Sequence, residues 1–201
     1  MPAIRSVAVF CGASAGHAPV FRSAALELGR GLAASGMRLV YGGGRVGLMG
    51  AVADGALEAG GAVVGVIPEF LTQWEVAHTG VADMTVTDSM HSRKQRMFDL
   101  SDAFVSFAGG LGTLDETFEI LTWRQLKLHD KPILICDVAG SAAPLAATIE
   151  ATIEAGFARP DIRRLYEIID GVPALLARLQ ALSDASDDES LPAHGDTSAL
   201  L

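Results

Sequence analysis

The feature of this chain that most narrows its fold is an alternation. Short, near-continuously apolar runs rich in Val, Ile and Phe recur along the sequence, with longer helix-like segments between them. Strands that read apolar at almost every position are covered on both faces, and strands separated by helical crossovers run parallel. The runs fall at residues 6–10, 38–41, 62–67, 84–87, 103–107, 132–137 and 166–169, which makes six or seven strands. Helices are expected near 18–34, 47–59, 89–101, 113–128, 144–156 and 172–182, several bounded by Gly or Pro as helix ends commonly are. The pattern predicts one α/β domain over residues 1–182. The stretch 183–201 has no apolar periodicity and is expected to be a disordered acidic tail.

Charge and cysteine usage remove several classes of function. Fifteen Lys and Arg against 24 Asp and Glu leave a formal charge of −9, which argues against general affinity for nucleic acid or for a membrane surface. An anionic ligand must therefore meet a local basic site. Cys11 and Cys136 end apolar runs, lack metal-ligand spacing and read as buried reduced thiols, in keeping with a cytoplasmic location. No signal-peptide pattern and no membrane-spanning run are present. His17, His78, His129 and His194 form no ligand spacing, so no metal site is expected.

In an open parallel sheet, ligands bind where strands feed loops at their carboxyl ends. Three such loops are glycine-rich. The first, Cys11 to Gly16, is either a tight turn with Ser14 near a helix start or a ligand contact. The second, YGGGRVGLMG from Tyr41 to Gly50, matches G-x-G-x-x-G and makes Gly43 and Gly44 phosphate or loop candidates. It follows the second strand rather than the first, and no acid ends the next run to hold a ribose, which argues against a nicotinamide or flavin site. The third, Phe107 to Glu116, runs from a buried strand straight into a helix, where free N–H groups and the helix dipole favour an anion. Thr113-x-x-Glu116 also reads as a capping box, so Glu116 is either a cap or a catalyst.

The segment 88–100 reads as a helix whose apolar arc, Met90, Met97, Phe98 and Leu100, also contains Arg93 and Lys94. Two cations aimed inward either snorkel out or face an anion that offsets their desolvation. His91 reads as a polar residue at the helix start, with catalysis as the other reading. Glu75, beside Trp74 in a polar loop, is ambiguous between surface and site. From the residues alone, the chemistry is a phosphate-bearing small molecule held by glycine loops near Arg93, Lys94 and Glu116.

Taken together, CGAS, YGGGRVGLMG, GVIP, MHSRK, and AGGLGTLDE followed by TWRQLKLHDKP resemble the LONELY GUY family of cytokinin riboside 5'-monophosphate phosphoribohydrolases over about residues 5–180. The resemblance implies a Rossmann-like, doubly wound sheet with helices on both faces, a homodimer, and hydrolysis of the N-glycosidic bond of a nucleoside 5'-monophosphate without metal or organic cofactor. It implies Arg93 and Glu116 as the catalytic pair. Gly109, Gly110, Leu111, Gly112 and Thr113 would hold the phosphate, and Glu75, Lys94 and Thr122 would contact substrate. A non-catalytic nucleotide or cofactor carrier with the same loops is the alternative. Relatives of the family are often labelled lysine decarboxylases, but only Lys94, Lys127 and Lys131 are available for a Schiff base, one beside the key arginine and two near a helix end. One departure stands out: the family's phosphate loop opens with proline, and here that position is Ala108.

Overall fold

The seven apolar runs form a single sheet in which every neighbouring pair is parallel. A computed structural model of the chain describes residues 3–72 and 77–188. In chain order the strands are β1 (Ser6–Phe10), β2 (Arg38–Tyr41), β3 (Val63–Pro68), β4 (Asp83–Thr87), β5 (Ala103–Ser106), β6 (Ile133–Asp137) and β7 (Glu167–Asp170). The helices are α1 (Pro19–Ala34), α2 (Gly47–Glu58), α3 (Met90–Asp99), α4 (Leu111–Gln125), α5 (Ala143–Glu154) and α6 (Gly171–Asp188). Strand order is β4-β3-β2-β1-β5-β6-β7. This is the doubly wound, Rossmann-like arrangement, and the order reverses between β1 and β5, where loops diverge to opposite faces and leave a crevice.

Alternation along each strand divides the core. Val7 and Val9 of β1 join Leu28 and Leu32 of α1, Val52 of α2, and Leu175 and Leu179 of α6 on one face. Ala8 and Phe10 face the other way, onto Met97 of α3, Ile120 and Leu121 of α4, and Leu145 and Ile149 of α5. Three layers result, with both faces of the five inner strands covered, which is why those strands carry no polar alternation, whereas the edge strands β4 and β7 stay largely exposed.

Two helices that set the crevice wall meet through glycine. A Cβ at Gly29 of α1 would lie 2.1 Å from the Val52 carbonyl of α2, and one at Gly55 of α2 would lie 2.2 Å from the Leu26 carbonyl of α1. Their backbones approach more closely than any side chain permits, which fixes the loops that precede them. On the opposite face the chain passes from β4, at the sheet edge, to β5 beside β1, and α3 makes that long crossover.

The domain boundary expected at 183 lies too early. Helix α6 runs on to Asp188, and the buried Ser183 hydroxyl accepts the Ile4 N–H at 3.1 Å, tying the helix to the start of β1. Residues 189–201 lie outside the described part. Cys11 and Cys136 are both buried free thiols. Among the described residues no helix is long and apolar enough to cross a membrane.

Candidate active site

The reversal point holds a cavity of about 660 Å³ at the carboxyl ends of β1 and β5, bounded by the loop 11–16, the start of α2, α3, and the loop 108–112 leading into α4. Arg93 comes to it from α3. The helix start is fixed by a reciprocal capping box in which the Ser89 hydroxyl accepts the Ser92 N–H at 3.1 Å and the Ser92 hydroxyl accepts the Ser89 N–H at 3.2 Å. Asp88 also bonds the Ser92 hydroxyl, and this hydrogen bond holds its carboxyl below the usual range. With the first turn locked, Arg93 points into the sheet ends and is only 5% exposed.

The guanidinium is held from behind. Its Nε donates to the Val66 carbonyl of β3 at 3.1 Å, and Nη2 donates to the Gly42 carbonyl after β2, also at 3.1 Å. The thioethers of Met90 and Met49 flank it at 3.7 and 4.0 Å. Nη1 is left facing Glu116 Oε1 at 3.9 Å, with Glu116 itself only 7% exposed. Such a pair offsets the desolvation of both charges. Cys11 lies at the same floor, where burial, reinforced by the charge of Glu116 and opposed by Arg93, pushes its thiol well above the usual range. The thiol stays protonated at neutral pH and is no nucleophile.

The start of α4 removes the capping reading of Glu116. Helix α4 begins at Leu111 with Gly110 as N-cap and no side-chain cap. Thr113 is therefore the third helical residue and Glu116 the sixth, so the Thr113-x-x-Glu116 capping box does not form. Thr113 instead packs its side chain under the loop, 2.0 Å from where a Gly109 Cβ would sit. The first N–H groups of α4 have no acceptor among the described residues, the first intrahelical turn being closed by Leu114 N–H on the Gly110 carbonyl. A Cβ at Gly110 or Gly112 would meet nothing within 4 Å. An open, dipole-favoured anion position results.

The G-x-G-x-x-G loop is used differently. At α2 the N–H groups of Leu48 and Met49 both donate to the Gly12 carbonyl, at 2.9 and 3.2 Å, so protein already occupies this helix start. Gly43, at φ +78°, packs on Ile67 and Met84 of the neighbouring strands, and Gly44 forms an antiparallel bridge with Ala77. Neither glycine, named as a phosphate or loop candidate, borders the cavity, and both are engaged in packing at the strand ends.

Ser14, Gly109, Gly110, Gly112, Thr113, Arg93 and Glu116 come together around the cavity. Lys94 does not. Its ammonium pairs with Asp115 at 3.0 Å and Glu119 at 3.2 Å on α4, outside the cavity wall. The Leu111 side chain is 85% exposed, so only its backbone serves the loop. Thr122 is also outside, its hydroxyl donating to the Phe118 carbonyl in its own helix. His91 is exposed and away from the cavity, and Glu75 falls outside the described residues. Phe21, Leu48, Met49, Met90 and Ser141, which pattern reading passed over, complete the wall. Met90 and Met49 were legible only as apolar helix positions, and nothing local marks Phe21 or Ser141.

The comparisons agree with this architecture. A family model described as "Possible lysine decarboxylase" matches residues 49–179. A cytokinin riboside 5'-monophosphate phosphoribohydrolase of Rhodococcoides fascians is 42% identical over 181 residues, covering 90% of this chain and 91% of the relative. The enzyme of the same name from Arabidopsis thaliana is 38% identical over 176 residues, covering 88% and 83%. Among solved structures, the molybdenum cofactor carrier protein of Chlamydomonas reinhardtii superposes with a TM-score of 0.66 at 25% identity, covering 88% of this chain and 96% of that one.

Proposed function

The chain belongs to the family of cytokinin riboside 5'-monophosphate phosphoribohydrolases, and on that premise we propose that it hydrolyses the N-glycosidic bond of a cytokinin riboside 5'-monophosphate or AMP-like nucleotide. The products are the free base and ribose 5-phosphate. One observation carries the reading: Arg93 is held by two backbone carbonyls so that its remaining nitrogen faces Glu116, and Glu116 lies on the helix whose open N-terminus can take the phosphate. From Leu111 to Glu116 the helix advances about 7.5 Å, comparable to the span of a ribose 5-phosphate.

In this reading the 5'-phosphate sits on the N–H groups of Leu111, Gly112 and Thr113, with Ser14 across the mouth. The base lies against Phe21, Leu48, Met49 and Met90. As the C1'–N bond breaks, its electron pair leaves with the base and positive charge spreads over C1' and the ring oxygen. The Glu116 carboxylate stabilises that cation and takes a proton from the water that adds to C1'; that proton is then passed, directly or through solvent, to the departing base nitrogen, which returns Glu116 to its carboxylate form. Arg93 faces the Glu116 carboxylate and orients it. No lysine borders the cavity, so the family description as a decarboxylase has no Schiff-base candidate in it.

The test is release of base and ribose 5-phosphate from AMP, N6-isopentenyl-AMP and CMP beside the matching nucleosides. Hydrolysis confined to monophosphates is expected, with Glu116→Gln lowering kcat by about 10²–10⁴-fold while retaining binding. Binding without release from any nucleotide would favour the carrier reading, to which the likeness to the Chlamydomonas protein gives its weight. Full activity of Glu116→Gln would remove Glu116 from its role.

A further inference from the structure

His78 is buried, 7% exposed, and does not border the cavity. Its ring is committed on both sides. Nδ1 accepts the Gly80 N–H at 3.1 Å, so Nε2 carries the hydrogen and donates to Asp54 Oδ1 of α2 at 3.0 Å. Its backbone is committed as well: the His78 N–H donates to the Gly43 carbonyl at 3.0 Å, and the neighbouring Ala77 bridges Gly44. The far side of Gly43 rests on Ile67 and Met84, with no room for a Cβ. The turn at Gly43 and Gly44 is thus clamped between the strand ends and a histidine anchored to α2. The next carbonyl back, Gly42, is the one that receives Arg93 Nη2 at 3.1 Å.

We propose that His78, braced by Asp54, is a positioning residue for the reaction: it fixes the Gly42–Gly44 turn, whose Gly42 carbonyl sets the direction in which Arg93 presents Nη1 to Glu116. Every link from Asp54 to Glu116 is a direct contact or a peptide bond. A flat ring that accepts on one edge and donates on the other ties residue 78 to Gly80 and to α2 at once, and the His78 N–H carries that hold to the Gly43 carbonyl. Misplacement of a reacting group by about 1 Å can cost on the order of 10²-fold in rate. The inference rests on the proposed hydrolase reading for its kinetic part alone.

The experiment compares the parent with His78→Phe, Asp54→Ala and Asp54→Asn. It measures kcat and KM on the nucleotide the parent hydrolyses, inhibition by ribose 5-phosphate, and exchange of the Arg93 Nε–H by ¹⁵N NMR. In His78→Phe and Asp54→Ala, kcat is expected to fall about tenfold or more, with ribose 5-phosphate affinity within about twofold because α4 holds the phosphate, and Arg93 Nε–H exchange to accelerate about tenfold. Asp54→Asn keeps an oxygen acceptor for Nε2 and is expected to stay within about threefold of the parent. Unchanged kcat, or a fall in kcat without faster Arg93 exchange, overturns the proposal. If His78→Phe does not fold, the two Asp54 variants decide, since that side chain is 44% exposed. A parent inert on every nucleotide overturns the hydrolase reading, and Arg93 exchange still judges the clamp.

Discussion

Arg93 shows how a buried charge is made useful. Two carbonyls and an opposed carboxylate offset its desolvation, and the fixed donors leave one direction open, towards Glu116. Ala108, where the family pattern has proline, tests the neighbouring loop. Its carbonyl accepts the Gly12 N–H at 3.0 Å, its own N–H has no acceptor among the described residues, and its φ is not positive. Proline therefore displaces no hydrogen bond, and Ala108→Pro is expected to raise stability by about 0.4–1 kcal/mol, read from the urea midpoint. The inward aim of Arg93 was legible in the sequence from its place on the apolar arc. Its carbonyl partners were not, because they lie 27 and 51 residues away along the chain. Lys94 shares that arc, yet its ammonium is spent on Asp115 and Glu119. Arc position alone cannot separate the two.

Among elements, the two glycine-rich loops look interchangeable as text and differ in one carbonyl. Gly12 caps α2 from another loop, and among the described residues no such group reaches the start of α4. Spacing of glycines cannot show this, since the decisive acceptor comes from a third segment. The five inner strands were legible to within a residue or so because burial on both faces leaves an unbroken apolar signature. The start of α4 was read two residues late, because Leu111 and Gly112 look like loop, and that error created the apparent capping box. At the far edge of the sheet, Arg178 of α6 grips Glu167 of β7 through two bonds of 2.8 and 2.7 Å. These bonds hold the Glu167 carboxyl below its usual range. A depressed folded value means the contribution is present above the unfolded pKa and is lost as pH falls through the folded one. Glu167→Gln is therefore expected to cost up to about 1 kcal/mol near neutrality, the pair being partly exposed. The difference from the parent should vanish in acid, about pH 2, in paired urea titrations.

On the scale of the whole molecule, we propose that the chain is a homodimer through its α3 and α4 side. Leu111, Leu126 and Leu128 are 85%, 64% and 67% exposed. Leu111 and Leu126 lie about 60° apart around the helix and about 22 Å apart along it, enough for one shared apolar stripe. Sedimentation equilibrium is expected to give twice the chain mass, and Leu126→Glu with Leu128→Glu to shift it towards the monomer; an unaltered mass would place the interface elsewhere. The long crossover carries a different consequence, one of timing. Arg93 rides on the connection that returns from the sheet edge to its centre, and its anchors, Val66 of β3 and Gly42 just after β2, precede that return in the chain, whereas Glu116 belongs to a helix that follows it. Closing so distant a loop is a slow kind of event in folding. The two charged groups therefore meet only when both flanks of the sheet have docked, and a refolding chain regains its helical signal before it regains a competent site.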